Sequence, residues 1–220
     1  YACGTGGDAI KFIMQREKMT FPEAVRLLAE RGGITLPTRQ KKDPAESDGL
    51  DRTTLEQANR WAACFFRKQF ESADEGRRAR DYVSGRGISD EVARRFGLGW
   101  APASWDRLYD AALREGQKIA ALVRVGLLVE KENGGQYDRF RERLMFPVLD
   151  AMGRVIAFGG RTLGDDPAKY LNSPESELFD KGRSLYGIHA AKDAIMKRRE
   201  VVVVEGYTDC LMAHQHGINH

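Results

Sequence analysis

The amino-acid sequence predicts a multi-domain chain of the α+β class, and three patterns along its 220 residues carry the prediction. Helical spacing of apolar residues dominates up to residue 125, whereas short strands separated by glycine turns dominate from Leu127 onward. A polar stretch without periodicity, residues 37–54, indicates a linker between folded parts. A β-branched run at residues 201–204, followed by a helical pattern, indicates the beginning of an α/β sheet.

Composition excludes several classes of protein. Hydrophobic residues make up 42% and charged residues 30% of the chain, which is ordinary for a globular protein. No apolar run is long enough to span a bilayer, so we expect no membrane partner. The three cysteines are widely spaced and odd in number, which gives no disulfide framework and favours a reducing, cytoplasmic location. A net charge of +3 is compatible with nucleic acid as a partner.

Helices account for most of the predicted structure before the strands begin. Residues 9–31 form the first, interrupted near Thr20, which has the position of an N-cap, and Gly32 ends it. After the linker, a long amphipathic helix carries several aromatic side chains, and Ser89 has the position of another N-cap. The predicted helices of this region cover residues 55–73, 77–84, 89–96, 104–115 and 118–125.

Two hairpins and a final strand–helix pair complete the predicted elements. Residues 127–137 turn at Asn133–Gly134, and residues 143–160 turn between Asp150 and Gly153. Residues 185–198 are helical again. The run at residues 201–204 is typical of a parallel strand covered on both faces, which would need further strands, so we expect this chain to be part of a longer protein.

The first candidate site is a set of arginines at alternate positions: Arg139, Arg141 and Arg143. In a strand these side chains would share one face about 6.7 Å apart, which suits the phosphates of an extended single strand. The arginine fork also binds a phosphate at two points. A solvated strand face, with ion pairs to Glu142 and Asp138, explains the same pattern equally well.

The second candidate site follows the next predicted strand. The glycines of FGGR, residues 158–161, either let the backbone approach a ligand or mark a bulge, and both place Arg161 at a strand end. The loop DDPAKYLNSPES then carries Lys169, Tyr170 and Asn172. Such side chains can hold a phosphate, a base and a sugar hydroxyl, although on spacing alone turn residues are the simpler interpretation.

The third candidate site is a pair of carboxylates. Glu205 ends the predicted strand, and Asp209 lies one helical turn further on. Because sites in α/β sheets form at the carboxyl ends of strands, both acids would point into one crevice and could hold Mg²⁺. The simpler alternative is that Asp209 caps a helix and Glu205 is a solvated edge residue.

Together these segments resemble the DnaG-type family of bacterial DNA primases, the DNA-directed RNA polymerases that start replication primers. The matching text is YDRFRERLMFPVLDAMGRVIAFGGRTL, KYLNSPESELFDKGRSLYG and VVVVEGYTD, and EGYTD resembles the first motif of the Toprim fold. Residues 3–34 resemble the tail of the primase zinc ribbon. The implied domains are the end of the zinc ribbon (1–36), the linker (37–54), the N-terminal subdomain of the catalytic core (55–198) and the start of a Toprim domain (199–220).

The resemblance implies roles for the candidate residues. The basic strand tracks the single-stranded template and nascent primer: Arg139, Arg141 and Arg143. Residues near the initiating nucleotide are Arg161, Lys169, Tyr170 and Asn172. The implied catalytic residues are Glu205 as an acid/base, Asp209 of the same motif, and Lys169. Cys3 matches the last zinc ligand of the ribbon.

The resemblance also implies cofactors and partners. Glu205 and Asp209 would bind Mg²⁺ or Mn²⁺, and Zn²⁺ is expected in the longer protein but not in these 220 residues, since one thiolate, Cys3, gives no four-ligand site. The implied partners are a single-stranded DNA template, ribonucleoside triphosphates and the replicative helicase, bound through a C-terminal domain outside this chain. We expect a cytoplasmic monomer at the bacterial replication fork. The family's Asp-x-Asp metal pair lies beyond His220, so the chain alone should not polymerise.

Two alternatives stay open at this point. The first is another Toprim enzyme, such as a nuclease or topoisomerase, although such an enzyme need not carry the arginine strand or the KYLNSPE loop. The second is a non-catalytic module that binds single-stranded DNA and lacks the downstream acids. A phage- or plasmid-encoded primase is a near variant of the main interpretation.

Overall fold

A computed structural model of the chain describes residues 8–17, 25, 28, 29, 32, 50–132 and 134–220. The chain divides into two units, residues 1–47 and 48–220. In the first, helix α1 (Ala9–Glu17) begins where the Asp8 carboxylate accepts a hydrogen bond from the backbone N–H of Lys11 at 2.8 Å. The predicted cap at Thr20 and the zinc ligand Cys3 lie outside the described residues.

The second unit opens with the long helix α2 (Arg52–Glu71), which begins at Arg52 rather than at Leu55. The reason is local: the Asp51 carboxylate accepts a hydrogen bond from the N–H of Thr54 at 2.8 Å and caps the helix there. Its buried residues recur three or four positions apart, as an amphipathic helix requires. The end of the predicted linker is therefore helical.

Shorter helices follow α2 along the second unit. Their bounds are α3 (Arg77–Gly85), α4 (Asp90–Arg95), α5 (Arg107–Arg114), α6 (Ile119–Arg124), a 3₁₀ turn (Lys181–Arg183), α7 (Ile188–Arg198) and α8 (Tyr207–Gln215). The Ser89 side chain accepts a hydrogen bond from the N–H of Val92 at 3.3 Å, which confirms the predicted N-cap of α4. No helix within the described ranges has the length and apolar character needed to cross a bilayer.

Two small antiparallel sheets complete the unit and confirm the α+β class. The larger has the strand order β1 (Gly99–Ala101), β4 (Arg143–Leu149), β5 (Val155–Thr162) and β6 (Tyr170–Asn172). The smaller pairs β2 (Leu128–Glu130) with β3 (Gln136–Asp138). Both predicted hairpins are confirmed, and the turn glycines Gly134 and Gly153 have φ of 84° and 83°, which favours glycine.

Strand β4 lies between two hydrophobic clusters. Leu144 and Phe146 pack with buried residues of α3 and α4, whereas Met145 packs with those of α2, α5 and α6. Alternate residues of a strand point to opposite faces, so both faces of β4 are covered. This burial explains why β4 reads as a nearly continuous apolar run despite lying in an antiparallel sheet.

The predicted strand at residues 201–204 is not formed within the described part of the chain. The four valines are 39–72% exposed, and the segment pairs with no strand. A β-branched run becomes a strand only where a neighbouring strand supplies hydrogen-bond partners. Here the N–H of Val202 donates to the carbonyl of His220 at 3.0 Å instead. The helix predicted after Gly206 is present as α8.

Candidate nucleic-acid interface

The three arginines do not share a strand face, so that prediction is wrong. β3 ends at Asp138 and β4 begins at Arg143, and between them Glu142 has a left-handed φ of 50°. The connection carries the chain from the smaller sheet to the larger one and buries Phe140 in the core. The kink turns Glu142 towards an ion pair with Arg78, so regular alternation stops there.

Arg141 stacks on a pair of aromatic rings, one exposed and one half-buried. Its guanidinium carbon lies 3.8 Å from the ring centroid of Trp105 and 5.6 Å from that of Tyr137, and the two ring centroids are 5.5 Å apart. Trp105 is 61% exposed. We call Trp105, Tyr137 and Arg141 the aromatic–arginine platform. Neither aromatic residue was predicted from the sequence, although a tryptophan in the polar loop PASWD is a usable signal.

Asp138 caps helix α5 from the neighbouring hairpin. Its buried carboxylate accepts hydrogen bonds from the N–H groups of Leu108 at 2.7 Å and Tyr109 at 3.0 Å, while Asp106 at the N-cap makes no such bond. Burial raises the pKa of Asp138 to about 6, against the lowering effect of these two N–H groups. Arg141 donates to the Asp138 carbonyl, which links the cap to the platform.

We expect the Asp138 carboxylate to make stability depend on pH. Because its pKa of about 6 exceeds the ordinary 3.8, its contribution is fully present below pH 3.8 and is lost as pH rises through about 6. The free energy of unfolding should therefore fall by up to about 3 kcal/mol across this window, and Asp138→Asn should lack that slope. Urea unfolding followed by tryptophan fluorescence measures both proteins, and parallel pH curves would contradict the expectation.

Arg143 is buried rather than presented to a ligand. It is 1% exposed, its guanidinium donates to the carbonyls of Gly160 at 3.2 Å and Ala168 at 2.9 Å, and it pairs with Asp166 at 2.7 Å. The N–H of Ala168, together with Arg143, holds the pKa of Asp166 below its ordinary value. Arg143 therefore clamps the segment that leads into Lys169, and no face of it is free for a template phosphate.

The predicted nucleotide loop is partly a strand. Tyr170 and Asn172 belong to β6, which pairs with β5, and the carbonyl of Lys169 accepts a hydrogen bond from the N–H of Thr162 at 3.0 Å. The side chains of Lys169, Tyr170 and Asn172 are all exposed. Arg161 faces them from β5, and its guanidinium donates to the Tyr170 hydroxyl at 3.3 Å. The structure thus brings the four predicted nucleotide residues together at one sheet edge.

The two glycines of FGGR make room for side chains rather than for a ligand. A Cβ on Gly159 would lie 2.4 Å from the ring of Tyr207, and one on Gly160 would lie 2.8 Å from Phe140. The Tyr207 ring stacks on Phe146 with centroids 4.8 Å apart, and its hydroxyl donates to the Asn172 side chain at 2.7 Å. Tyr207, from the EGYTD motif, thereby ties α8 to β6, a role that the sequence analysis missed.

The two carboxylates lie near the same strand. Glu205 and Asp209 line a cavity of about 590 Å³ together with Tyr170 and Asn172. Both acids are exposed, and Asp209 accepts a hydrogen bond from the N–H of Gly206 at 3.1 Å as the cap of α8. No group of three or more histidine, cysteine, aspartate or glutamate side chains converges on one point among the residues that the structure describes.

Two known families match the chain. Residues 65–192, more than half of the chain, match the family described as DNA primase catalytic core, N-terminal domain. Residues 1–44 match the CHC2 zinc finger family. The first match contains the aromatic–arginine platform, Arg143 and β6, whereas Glu205 and Asp209 lie beyond it.

Individual relatives of the chain are also DNA primases. The DNA primase of Pseudomonas putida is 42% identical over 219 residues, which are 99% of this chain and 33% of that protein. This chain thus spans about a third of the length of that curated relative. The RNA polymerase domain of Mycobacterium tuberculosis primase DnaG, in complex with a double-stranded DNA oligomer with a 6-nucleotide overhang, matches at 40% identity with a TM-score of 0.73. That match covers 77% of this chain and 53% of that one.

A further solved structure is the DnaG primase catalytic domain bound to single-stranded DNA. It is 43% identical, with a TM-score of 0.71, and the match covers 77% of this chain and 54% of that one. The chain is therefore similar to this structure in sequence as well as in fold.

Proposed function

The chain belongs to the DnaG-type family of bacterial DNA primases, and from this premise we propose that it forms part of an enzyme that synthesises short RNA primers on single-stranded DNA. The observation that carries the proposal is the aromatic–arginine platform, with its exposed Trp105, within the matched family region. A structural relative of this region binds single-stranded DNA. The longer protein supplies the rest of the enzyme.

The platform is our proposed contact with the template. Proteins hold a single strand by stacking bases on aromatic rings and by pairing phosphates with cations, and Trp105 and Arg141 offer both within one cluster. Arg139 lies half-buried on the same connection, and its Nε has no hydrogen-bond partner in the described part of the chain. Arg143 would contribute through its clamp rather than by touching the template.

The edge formed by β5 and β6 is our proposed contact with the initiating nucleotide. Arg161 and Lys169 would bind its phosphates, while Tyr170 and Asn172 would meet the base or sugar. This assignment is supported by the exposure of Lys169, Tyr170 and Asn172 and by the approach of Arg161 to the Tyr170 hydroxyl.

Glu205 and Asp209 are our proposed metal ligands. A magnesium site in a nucleotide enzyme uses one or two carboxylates together with substrate phosphates, and the two acids that line the cavity fit that description. Bound Mg²⁺ or Mn²⁺ would neutralise phosphate charge and orient the attacking hydroxyl. For zinc, the CHC2 match supports a site in the longer protein to which this chain contributes Cys3, with three further ligands from elsewhere.

The reaction would be phosphoryl transfer between ribonucleotides. The 3′-hydroxyl of one nucleotide attacks the α-phosphate of the next, and pyrophosphate leaves. Glu205 would accept the proton of the attacking hydroxyl, which its exposed position at the cavity allows. Lys169 and Arg161 would keep the phosphates in place, because positioning and charge supply most of the catalysis in such reactions.

The remaining assignments follow from family membership. We propose ribonucleoside triphosphates as substrates, the replicative helicase as a partner of the longer protein, and the bacterial cytoplasm as its location. The proposed domains are a zinc-ribbon end (1–36), a linker (37–54), a core subdomain (55–198) and the start of a Toprim domain (199–220). A monomer is the proposed state.

We expect Arg141→Ala to weaken binding of single-stranded DNA by a similar factor on all sequences, since a phosphate contact reads no base. The slope of log affinity against log salt should also fall by about one unit. Fluorescence anisotropy of the 220-residue chain with labelled oligonucleotides at several salt concentrations measures both quantities. Arg60→Ala, on the exposed face of α2, is the matched control. Unchanged binding would remove Arg141 from the template path.

The proposed activity is tested on the complete protein that contains this chain. We expect ribonucleotide incorporation that depends on both single-stranded DNA and a divalent cation. Absence of incorporation with intact DNA binding would favour the non-catalytic module. Strand cleavage or relaxation in its place would favour another Toprim enzyme.

A further inference from the structure

Two aromatic rings from distant parts of the chain hold the Arg161 side chain. Its guanidinium carbon lies 4.6 Å from the ring centroid of Tyr82 in α3 and 5.6 Å from that of Tyr170 in β6. A cation over an aromatic face is attracted by the ring quadrupole, more strongly where water is partly excluded. Arg161 is half-buried and also donates to the Tyr170 hydroxyl at 3.3 Å, so both rings contribute to its position.

The Tyr82 ring also contacts a second arginine. The guanidinium carbon of Arg86, one helical turn further along, lies 5.2 Å from the same centroid. Neither Arg86 nor Arg161 forms an ion pair with a carboxylate inside the described ranges, so the ring contacts are prominent among their interactions. The electron-rich face of one tyrosine is thus a shared contact of two arginine side chains.

Among the described residues, the hydroxyl of Tyr82 makes no hydrogen bond that would hold the arginines. It is buried and has no hydrogen-bond partner in the described part of the chain. A buried hydroxyl without a partner is unfavourable relative to an apolar group of the same shape. The ring face therefore carries the interaction, which makes phenylalanine a suitable replacement at this position.

We propose that Tyr82 is a positioning residue for nucleotide binding: its ring holds the guanidinium groups of Arg161 and Arg86 ready for the phosphates of a ribonucleoside triphosphate. The inference rests on the proposed function, since it concerns the same nucleotide edge. A free arginine side chain samples many rotamers. If it is already ordered before the ligand binds, less conformational entropy is lost on binding. Tyr82 is not among the residues that line the cavity of Glu205 and Asp209, so it would act only through the arginines.

Replacing such a residue should reduce the affinity for the nucleotide more than the rate of the chemical step. Tyr82→Leu keeps an apolar side chain but removes the aromatic face, so ATP binding should weaken roughly 5- to 10-fold. In primer synthesis KM for the ribonucleotide should rise by a similar factor while kcat stays within about twofold. Tyr82→Phe should match the wild type in both quantities.

The experiment uses the complete protein. ATP affinity is measured by displacing a bound fluorescent ATP analogue with ATP, and primer synthesis gives KM and kcat. Arg86→Gln is a further variant that does not threaten the fold, because Arg86 is exposed, and it should weaken ATP binding several-fold. Arg94→Gln, also exposed, is its matched control and should bind as the wild type does. Thermal unfolding of each variant accompanies the binding curves.

The possible outcomes separate the two proposals. Equal ATP affinity in the wild type and Tyr82→Leu overturns the inference, and so does a loss in Tyr82→Phe as large as that in Tyr82→Leu. If Tyr82→Leu is unstable, unchanged ATP affinity in Arg86→Gln overturns it instead. A wild type that binds ATP in a Tyr82-dependent manner but makes no primer supports the inference and contradicts the proposed function.

Discussion

Replacing Glu205 by glutamine in the complete protein should reduce primer synthesis by at least about 100-fold, the typical contribution of a positioned acid or base. Glutamine keeps the size of the side chain but removes the negative charge that would accept a proton or hold a metal ion. Because Glu205 is exposed, the variant should fold as the wild type does. Incorporation of labelled ribonucleotides on single-stranded DNA measures the effect.

The control for this prediction is Glu200→Gln. Glu200 is an exposed glutamate shortly before the valine run, and its replacement should leave primer synthesis unchanged. Binding of single-stranded DNA should be equal in both variants, because the platform lies in another part of the unit. Full activity in Glu205→Gln would exclude Glu205 from the site, and an equal loss in Glu200→Gln would point to a general effect of charge.

Arg143→Met should destabilise the second unit by about 2–4 kcal/mol. The change leaves the carbonyls of Gly160 and Ala168 without their donor and Asp166 without its ion pair. Asp166 itself is 42% exposed and can be hydrated, so the loss should fall below that of a fully buried pair. Urea unfolding of the 220-residue chain with tryptophan fluorescence measures the free energy of unfolding.

Two variants separate the clamp from a role in binding DNA. Asp166→Asn keeps an oxygen to accept from the N–H of Ala168 and should lose less than about 1 kcal/mol. Arg139→Met removes a half-buried arginine from the same connection and should be nearly neutral for stability. A stable Arg143→Met protein whose DNA affinity has lost part of its salt dependence would restore Arg143 as a phosphate contact and refute the clamp.

The local part of this fold could be predicted from the sequence. Glycines mark both hairpin turns because their positive φ is strained for other residues, as at Gly134 and Gly153. Ser89 identifies a helix start because its side chain bonds within the same turn. The helical spacing of α2 likewise depends on residues three or four apart. The primase family was also predicted from the sequence, through motifs that resemble it. The match of residues 65–192 to the primase catalytic core confirms that prediction.

The arrangement of the candidate site depended on contacts that no local pattern encodes. Alternation predicted a common face for the three arginines, but β3 ends at Asp138 and a left-handed Glu142 precedes β4. Arg143 therefore enters the core while Arg141 stacks on Trp105. Trp105 and Arg141 meet because the loop before α5 lies against the connection between β3 and β4. The valine run at 201–204 shows the same limit, since β-branched residues favour a strand but pairing requires a neighbour. Sequence alone determined most of the elements and the family, because capping, turns and helical spacing are local. Packing decided which cations stay accessible, because it brings distant residues into contact.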